Sequence, residues 1–211
     1  MIRNLKALGL SLVAVLALGA MMASAAQAAP FFHSESAPAI QKGTEVEKNK
    51  FTTASGTVEC ASTFRGTTTS TTTTTVTMKP TYSNCTAFGF VGATIDVNEC
   101  GYMFHLVENS SPATATVDLE CTNAGEEMRI TAGFCTVHVK QQSGLAHVTF
   151  ANGGSKTSRD ITATLNVGGI HYVSTSGCFN SGTHTDGVYE GSVTIKGYTD
   201  PAEVQQGIWV E

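Results

Sequence analysis

The chain has 211 residues, 12 of them Lys or Arg and 17 Asp or Glu, for a formal charge of −5 at pH 7. That acidic balance argues against nucleic acid and anionic membrane surfaces, both of which select basic patches. Six cysteines, an even number, point to disulfides formed in an oxidising compartment.

At the N-terminus, Arg3 and Lys6 precede an apolar run from Ala7 to Ala26, followed by the small-x-small patterns of Ala23 and Ala25 and of Ala26 and Ala28. This is the layout of a secretory signal peptide. The run is about long enough to cross a bilayer, because a helix rises ~1.5 Å per residue across ~30 Å of hydrocarbon. It nevertheless ends in small residues with no basic stop-transfer flank. Residues 1–28 therefore read as a cleaved N-terminal signal helix, cut after Ala25 or Ala28, and the product as secreted and extracellular. No later segment approaches spanning length, so no membrane span is expected in the mature chain.

Residues 29–49 are polar and read as a loose N-terminal segment or an edge strand, ahead of a single β domain over 50–211. "SGTVECASTFRG" alternates as a strand. Threonine then fills Thr67 to Thr75 but for Ser70. A mucin-like stalk carries prolines among its threonines, and none lies between Thr52 and Lys79. Threonine is β-branched and suits a strand, and Val76 and Met78 continue the alternation. The run reads as a strand inside the domain, its early threonines in a turn, with Cys60 bonded to Cys85 across the hairpin.

From Cys100, the residues Tyr102, Phe104 and Leu106 alternate on one face. Ala115, Val117, Leu119 and Cys121 alternate on the next strand, with turn residues from Asn109 to Pro112 between them. A turn centred between Ser110 and Ser111 sets Cys100 opposite Cys121 and Tyr102 opposite Leu119, so that both apolar rows share a face. His105 then faces outward opposite Thr116. Cys135 is left for Cys178 by elimination. "FCTVHVK" and "LAHVTF" flank "QQSG", which reads as a short hairpin with His138 and His147 on its two arms. Two imidazoles on adjacent strands can begin a metal site. Solvent-facing strand positions are the plainer reading, and no metal or other cofactor is expected.

Ile161, Ala163, Leu165 and Val167 share a face; after Gly168 and Gly169 the apolar parity shifts to Ile170 and Tyr172, as at a β-bulge. "GVYEGSVTIKGY" and "QGIWVE" supply closing strands. With no apolar stripe of helical period after the leader, the fold class is all-β, an antiparallel β-sandwich, with a β-barrel as the alternative. "GTVEC", "PTYSNCTAFG", "GLAHVTF", "DITATLNVGGIHY" and "YEGSVTIKGY…GIWVE" resemble a group of uncharacterised exported β-rich proteins of high-GC Gram-positive bacteria. The resemblance implies export and a β fold, and no catalytic or binding residues.

No GxSxG elbow is present, and "GGSKT" lacks the spacing of a phosphate loop, so the chain does not read as an enzyme. The expected function is that of a non-catalytic exported β-domain, structural or adhesive at the cell surface, with a cell-wall or surface component as candidate partner. One alternative is a small-ligand or carbohydrate-binding module, which requires exposed aromatics on one face or a cavity in a barrel. Trp209, Tyr189 and Tyr198 are the residues from which a sugar platform would be built; packed, they would plug the end of the fold. A secreted hydrolase is the other alternative and requires a cleft with converging carboxylates or histidines.

Overall fold

Period-two alternation of apolar and polar residues governs the chain from Ala39 to Val210, and the computed structural model, which describes residues 29–155 and 159–211, is all-β. The strands are β1 (Phe32–Ser34), β2 (Ala39–Thr53), β3 (Gly56–Thr68), β4 (Thr72–Thr73), β5 (Thr75–Ala87), β6 (Val91–Asp96), β7 (Cys100–Glu108) and β8 (Ala113–Cys121). They continue with β9 (Glu127–Ala132), β10 (Cys135–Lys140), β11 (Gln142–Gly153), β12 (Asp160–Ser174), β13 (Gly182–Thr199), β14 (Gln205–Gln206) and β15 (Ile208–Val210). The expected signal helix lies outside the described residues.

The sheet closes on itself as an eight-stranded antiparallel barrel with extra strands, so the expected sandwich gives way to its alternative. Five strands (β2, β3, β5, β12 and β13) run its full height. The other three staves are each broken once: β6 continues as β7, β8 as β9, and β10 as β11. β5 pairs with β6 near its end and with β7 near its start, and β12 is shared in the same way between β10 and β11. The staves follow one another up and down in chain order, and β13 closes the ring against β2. A sandwich would leave four sheet edges; here every stave is hydrogen-bonded on both sides. Bulges let the long strands curl, as between Val167 and Ile170 at the Gly168–Gly169 pair, where Gly169 has φ +74°.

Two sequence expectations are corrected by this closure. Ala39–Thr53 is neither a loose segment nor an edge: it pairs with β13 on one side and β3 on the other. "QQSG" is not a hairpin. β10 and β11 both run antiparallel to β12, so the chain passes straight on, with bulges rather than a reversal where Gly144 and His147 have φ +72° and +73°. The Gln142 side chain mends the ladder at this break, its amide nitrogen donating to His171 O and its oxygen accepting from His171 N.

Inward residues form one core that includes Phe64, Met78, Phe104, Val117, Phe150, Leu165 and Val193, while Thr77, Lys79, Glu190 and Lys196 face outward. The polarity is the reverse of a barrel that spans a membrane, whose outer band is apolar. One end is stoppered by β15, β1 and β4, with Phe32 meeting Phe150 edge to face at 5.1 Å. The threonine run turns here: β3 ends at Thr68, Thr72 and Thr73 pair with β1, and β5 begins at Thr75. The three disulfides are Cys60–Cys85, Cys100–Cys121 and Cys135–Cys178, consistent with an oxidising environment. Cys100 and Cys121 are register partners, as are Tyr102 and Leu119, and His105 and Thr116.

Val76 is buried in the barrel wall and Thr77 is exposed. Val76→Ala is expected to lose about 1–3 kcal/mol in denaturant unfolding, while Thr77→Ala stays within ~0.5 kcal/mol. Equal, silent effects would remove the run from the barrel wall.

Candidate functional site

Opposite the stopper the barrel is open. Four connections meet there: the β2–β3 turn, the β5–β6 turn, the β9–β10 turn and the β12–β13 loop. They surround a mouth of about 530 Å³ lined by Phe51, Val58, Phe88, Ile130, Phe134 and Phe179, among others. Phe88, Phe90, Phe134 and Phe179 stand at the tips and are 47%, 83%, 95% and 88% exposed. Exposed large apolar side chains normally occur singly; these come from three separate loops and share one rim.

The rim is rigidly built. Cys135 and Cys178 are disulfide-bonded, and each is the chain neighbour of a rim phenylalanine, Phe134 and Phe179. Gly177 lets these loops touch: a Cβ there would lie 2.0 Å from the Phe134 carbonyl oxygen. Gly56, at φ +126°, leaves room for the Phe88 ring, which a Cβ would meet at 2.2 Å. Phe88 and Phe179 then pack edge to face at 6.2 Å.

The mouth carries no formal charge. Asp, Glu, Lys and Arg are absent from 53–58, 86–95, 130–137 and 172–185, although they make up 14% of the chain. Its few hydroxyls are engaged within the protein. Thr53 Oγ1 donates to Gly56 O, Ser55 Oγ donates to Asn180 O and accepts from Asn180 N, and Thr57 pairs with Thr52. Ion pairs lie along the outer wall instead: Glu203 bonds Lys42 at 2.6 Å and Arg65 at 3.1 Å toward the stoppered end, and Lys50 meets Glu59 at 3.5 Å nearer the mouth.

Below the mouth, and sharing Phe51 and Ile130 with it, lies an inner chamber of about 50 Å³. Its walls include Tyr102, Leu119, Met128, Val139, Gln142 and Leu145, the residues that flank the three stave breaks. Three phenols meet there: Tyr82 Oη lies 2.8 Å from Tyr102 Oη and 3.0 Å from Tyr189 Oη. Tyr189 donates to Asn49 Oδ1 at 2.8 Å, and Asn49 Nδ2 donates to Ser62 Oγ. Burial pushes all three phenols well above their ordinary range, and the neighbouring phenols add to it.

The residues singled out from sequence stand elsewhere. His138 is on β10, bonded through Nδ1 to Glu127 Oε1 at 2.6 Å, and His147 is at a bulge of β11. The straight run of β10 into β11 separates them along one stave. Burial raises the Glu127 carboxyl, but the His138 hydrogen bond and the charges of His138 and Arg129 outweigh it and hold the group low. Among the described residues no three His, Cys, Asp or Glu side chains cluster as metal ligands. Trp209, Tyr189 and Tyr198 form no shared platform. Trp209 stacks on His33, with Arg159 5.0 Å from its ring, Tyr189 is inside the barrel, and Tyr198 lies under Lys42. The sequence reading does not single out the rim phenylalanines, though "AFGFVG", "AGFC" and "GCFN" carry the signal: an aromatic within two residues of a glycine in a turn, where polar residues are the rule.

No family model, curated protein or solved structure matches the chain.

Of the five tyrosines, Tyr82, Tyr102 and Tyr189 are expected to stay protonated through pH ~10 and to ionise only as the barrel unfolds. Their raised values stabilise the fold below that pH, and the contribution is lost as pH rises and the unfolded chain sheds those protons. Spectrophotometric titration beside circular dichroism checks this. Tyrosinate from all five with the fold intact would contradict it.

Proposed function

We propose that this protein is an exported, non-catalytic binding module that works through the open end of its barrel and takes an apolar small molecule there. The observation that carries the reading is the mouth itself: a concavity in the size range of small-molecule sites, apolar, uncharged, and rimmed by phenylalanines held by a disulfide. An eight-stranded barrel has an interior that side chains fill or that holds one small ligand. A carbohydrate fits this mouth poorly, because sugar hydroxyls need free hydrogen-bonding partners and Thr53, Ser55 and Thr57 are already engaged.

An adhesive role at the cell surface remains the second reading, favoured by the same rim, since Phe90, Phe134 and Phe179 project almost fully exposed. The two differ in stoichiometry: a ligand site saturates at one small molecule per chain, whereas an adhesive rim acts on extended surfaces. The paired cysteines support export in both cases.

Nile red, an uncharged fluorophore, is expected to bind saturably, one per chain. Burying an aromatic ring contributes about 1.5–3 kcal/mol, so Phe134→Ser/Phe179→Ser should weaken binding at least about tenfold at unchanged thermal stability. Val107→Ser, an exposed apolar site away from the mouth, should leave it unchanged. An unaltered affinity in the double variant would rule out the mouth as the site.

A further inference from the structure

We propose that the ligand is a slender, uncharged apolar molecule bearing a hydroxyl group, and that Tyr102 Oη accepts the hydrogen bond from that hydroxyl in the inner chamber. This rests on the apolar-ligand reading of the mouth and names the chemistry of its ligand.

The chamber limits what can enter. Phe51 and Ile130 belong to both walls, so these side chains stand between the two spaces and a ligand tip reaches the chamber by passing them. A chamber with about 50 Å³ open to a water-sized sphere admits a few groups the size of a water molecule, each of which needs ~10–15 Å³ on that measure. Only the tip of a narrow ligand fits, with its body in the mouth. No Lys, Arg, His, Asp or Glu lines the chamber, and the Gln142 amide is spent on His171. A carboxylate or ammonium tip would be buried without a counter-charge.

Counting hydroxyl protons gives the polarity of the tip. Each phenol has one proton and two lone pairs. Asn49 Nδ2 is committed to Ser62, so Asn49 Oδ1 is the acceptor and takes the Tyr189 proton. The Tyr82–Tyr189 contact must then be closed by the Tyr82 proton, and the Tyr82–Tyr102 contact by the Tyr102 proton. The relay runs Tyr102 to Tyr82 to Tyr189 to Asn49, and every proton is used. Tyr102 Oη at its head receives nothing. Its remaining neighbour is Met128 Sδ at 3.7 Å, a weak acceptor that can only share the Tyr102 proton with the nearer Tyr82 Oη and has none to give. The chamber therefore offers a buried acceptor and no donor. A ligand hydroxyl satisfies it; a ketone or ether oxygen, which needs a donor, does not.

The test displaces Nile red from the intact protein with octanol, with octanone, and with octanoate above neutral pH. Octanol should outcompete octanone by about tenfold or more, the discrimination expected when one ligand leaves buried polar groups unpaired, and octanoate should compete poorly. Tyr102→Phe removes the acceptor and should abolish the preference. Tyr82→Phe frees the Tyr102 proton and should improve octanone binding, an inversion that a merely structural role for Tyr82 would not produce. Equal binding of octanol and octanone to the wild type, or a preference that survives Tyr102→Phe, overturns this proposal and leaves the mouth reading standing. Nile red that fails to bind, or that ignores Phe134→Ser/Phe179→Ser, overturns both. If neither tyrosine variant folds, the wild-type preference alone decides.

Discussion

The pairing of β13 with β2 is the constraint on which the rest of the structure depends. It joins the last long stave to the first, from Val188 opposite Thr52 to Thr199 opposite Ala39. Without it the sheet would have two long open edges and its apolar face would lie bare. The seam also bulges, between Glu190 and Val193 on β13 and between Thr44 and Asn49 on β2. Those bulges turn Asn49 inward, against Gly191, where a Cβ would come within 2.1 Å of Asn49 Oδ1. Asn49 then anchors Tyr189, and through it Tyr82 and Tyr102. The polar centre of the inner chamber is thus assembled by the closing contact of the barrel. Because that contact joins strands far apart in the sequence, 39–53 with 182–199, topology places it among the slowest to form.

Local features were legible in the sequence and relational ones were not. Cys100 opposite Cys121 could be read because turn residues and alternation on both arms fix one register. The parity change at Gly168–Gly169 announced its bulge for the same reason. Barrel and sandwich share the same period-two pattern along each strand, and what separates them is a pairing between 39–53 and 182–199, which no local window contains. "QKGTEVEKNK" looked like an edge because its charges face outward and the bulge between Thr44 and Asn49 breaks its parity. "QQSG" has turn composition, yet β12 runs past it and pairs with the chain on both sides, so it became a bulge. The mouth was not legible because its phenylalanines lie in three turns far apart in the sequence, and only the fold brings the four to one rim.

The molecule is also polar from end to end, and its covalent links follow that axis. Cys100–Cys121 closes β7 and β8 just where these staves break from β6 and β9, so it replaces ladder bonds lost at the level of the chamber. Cys135–Cys178 fixes the spacing of two loops that share no strand pairing at their tips. Loops of exposed phenylalanine left free would collapse on one another or into the barrel; cross-linked, they hold the mouth open. The three breaks in the opposite wall end strands at mid-height and leave space in the interior that eight unbroken staves would fill.

The absence of charge around the mouth reaches beyond what it admits. Encounter there gains nothing from electrostatic steering, so it proceeds at an unassisted diffusional rate. Dissolved salt has no ion pair at the rim to screen. Salts excluded from protein surfaces strengthen apolar burial, while exposed pairs such as Lys42 with Glu203 weaken as ionic strength rises. Drying or brackish surroundings would therefore loosen the ion pairs on the outer wall of this barrel before they loosened its grip on whatever its open end holds.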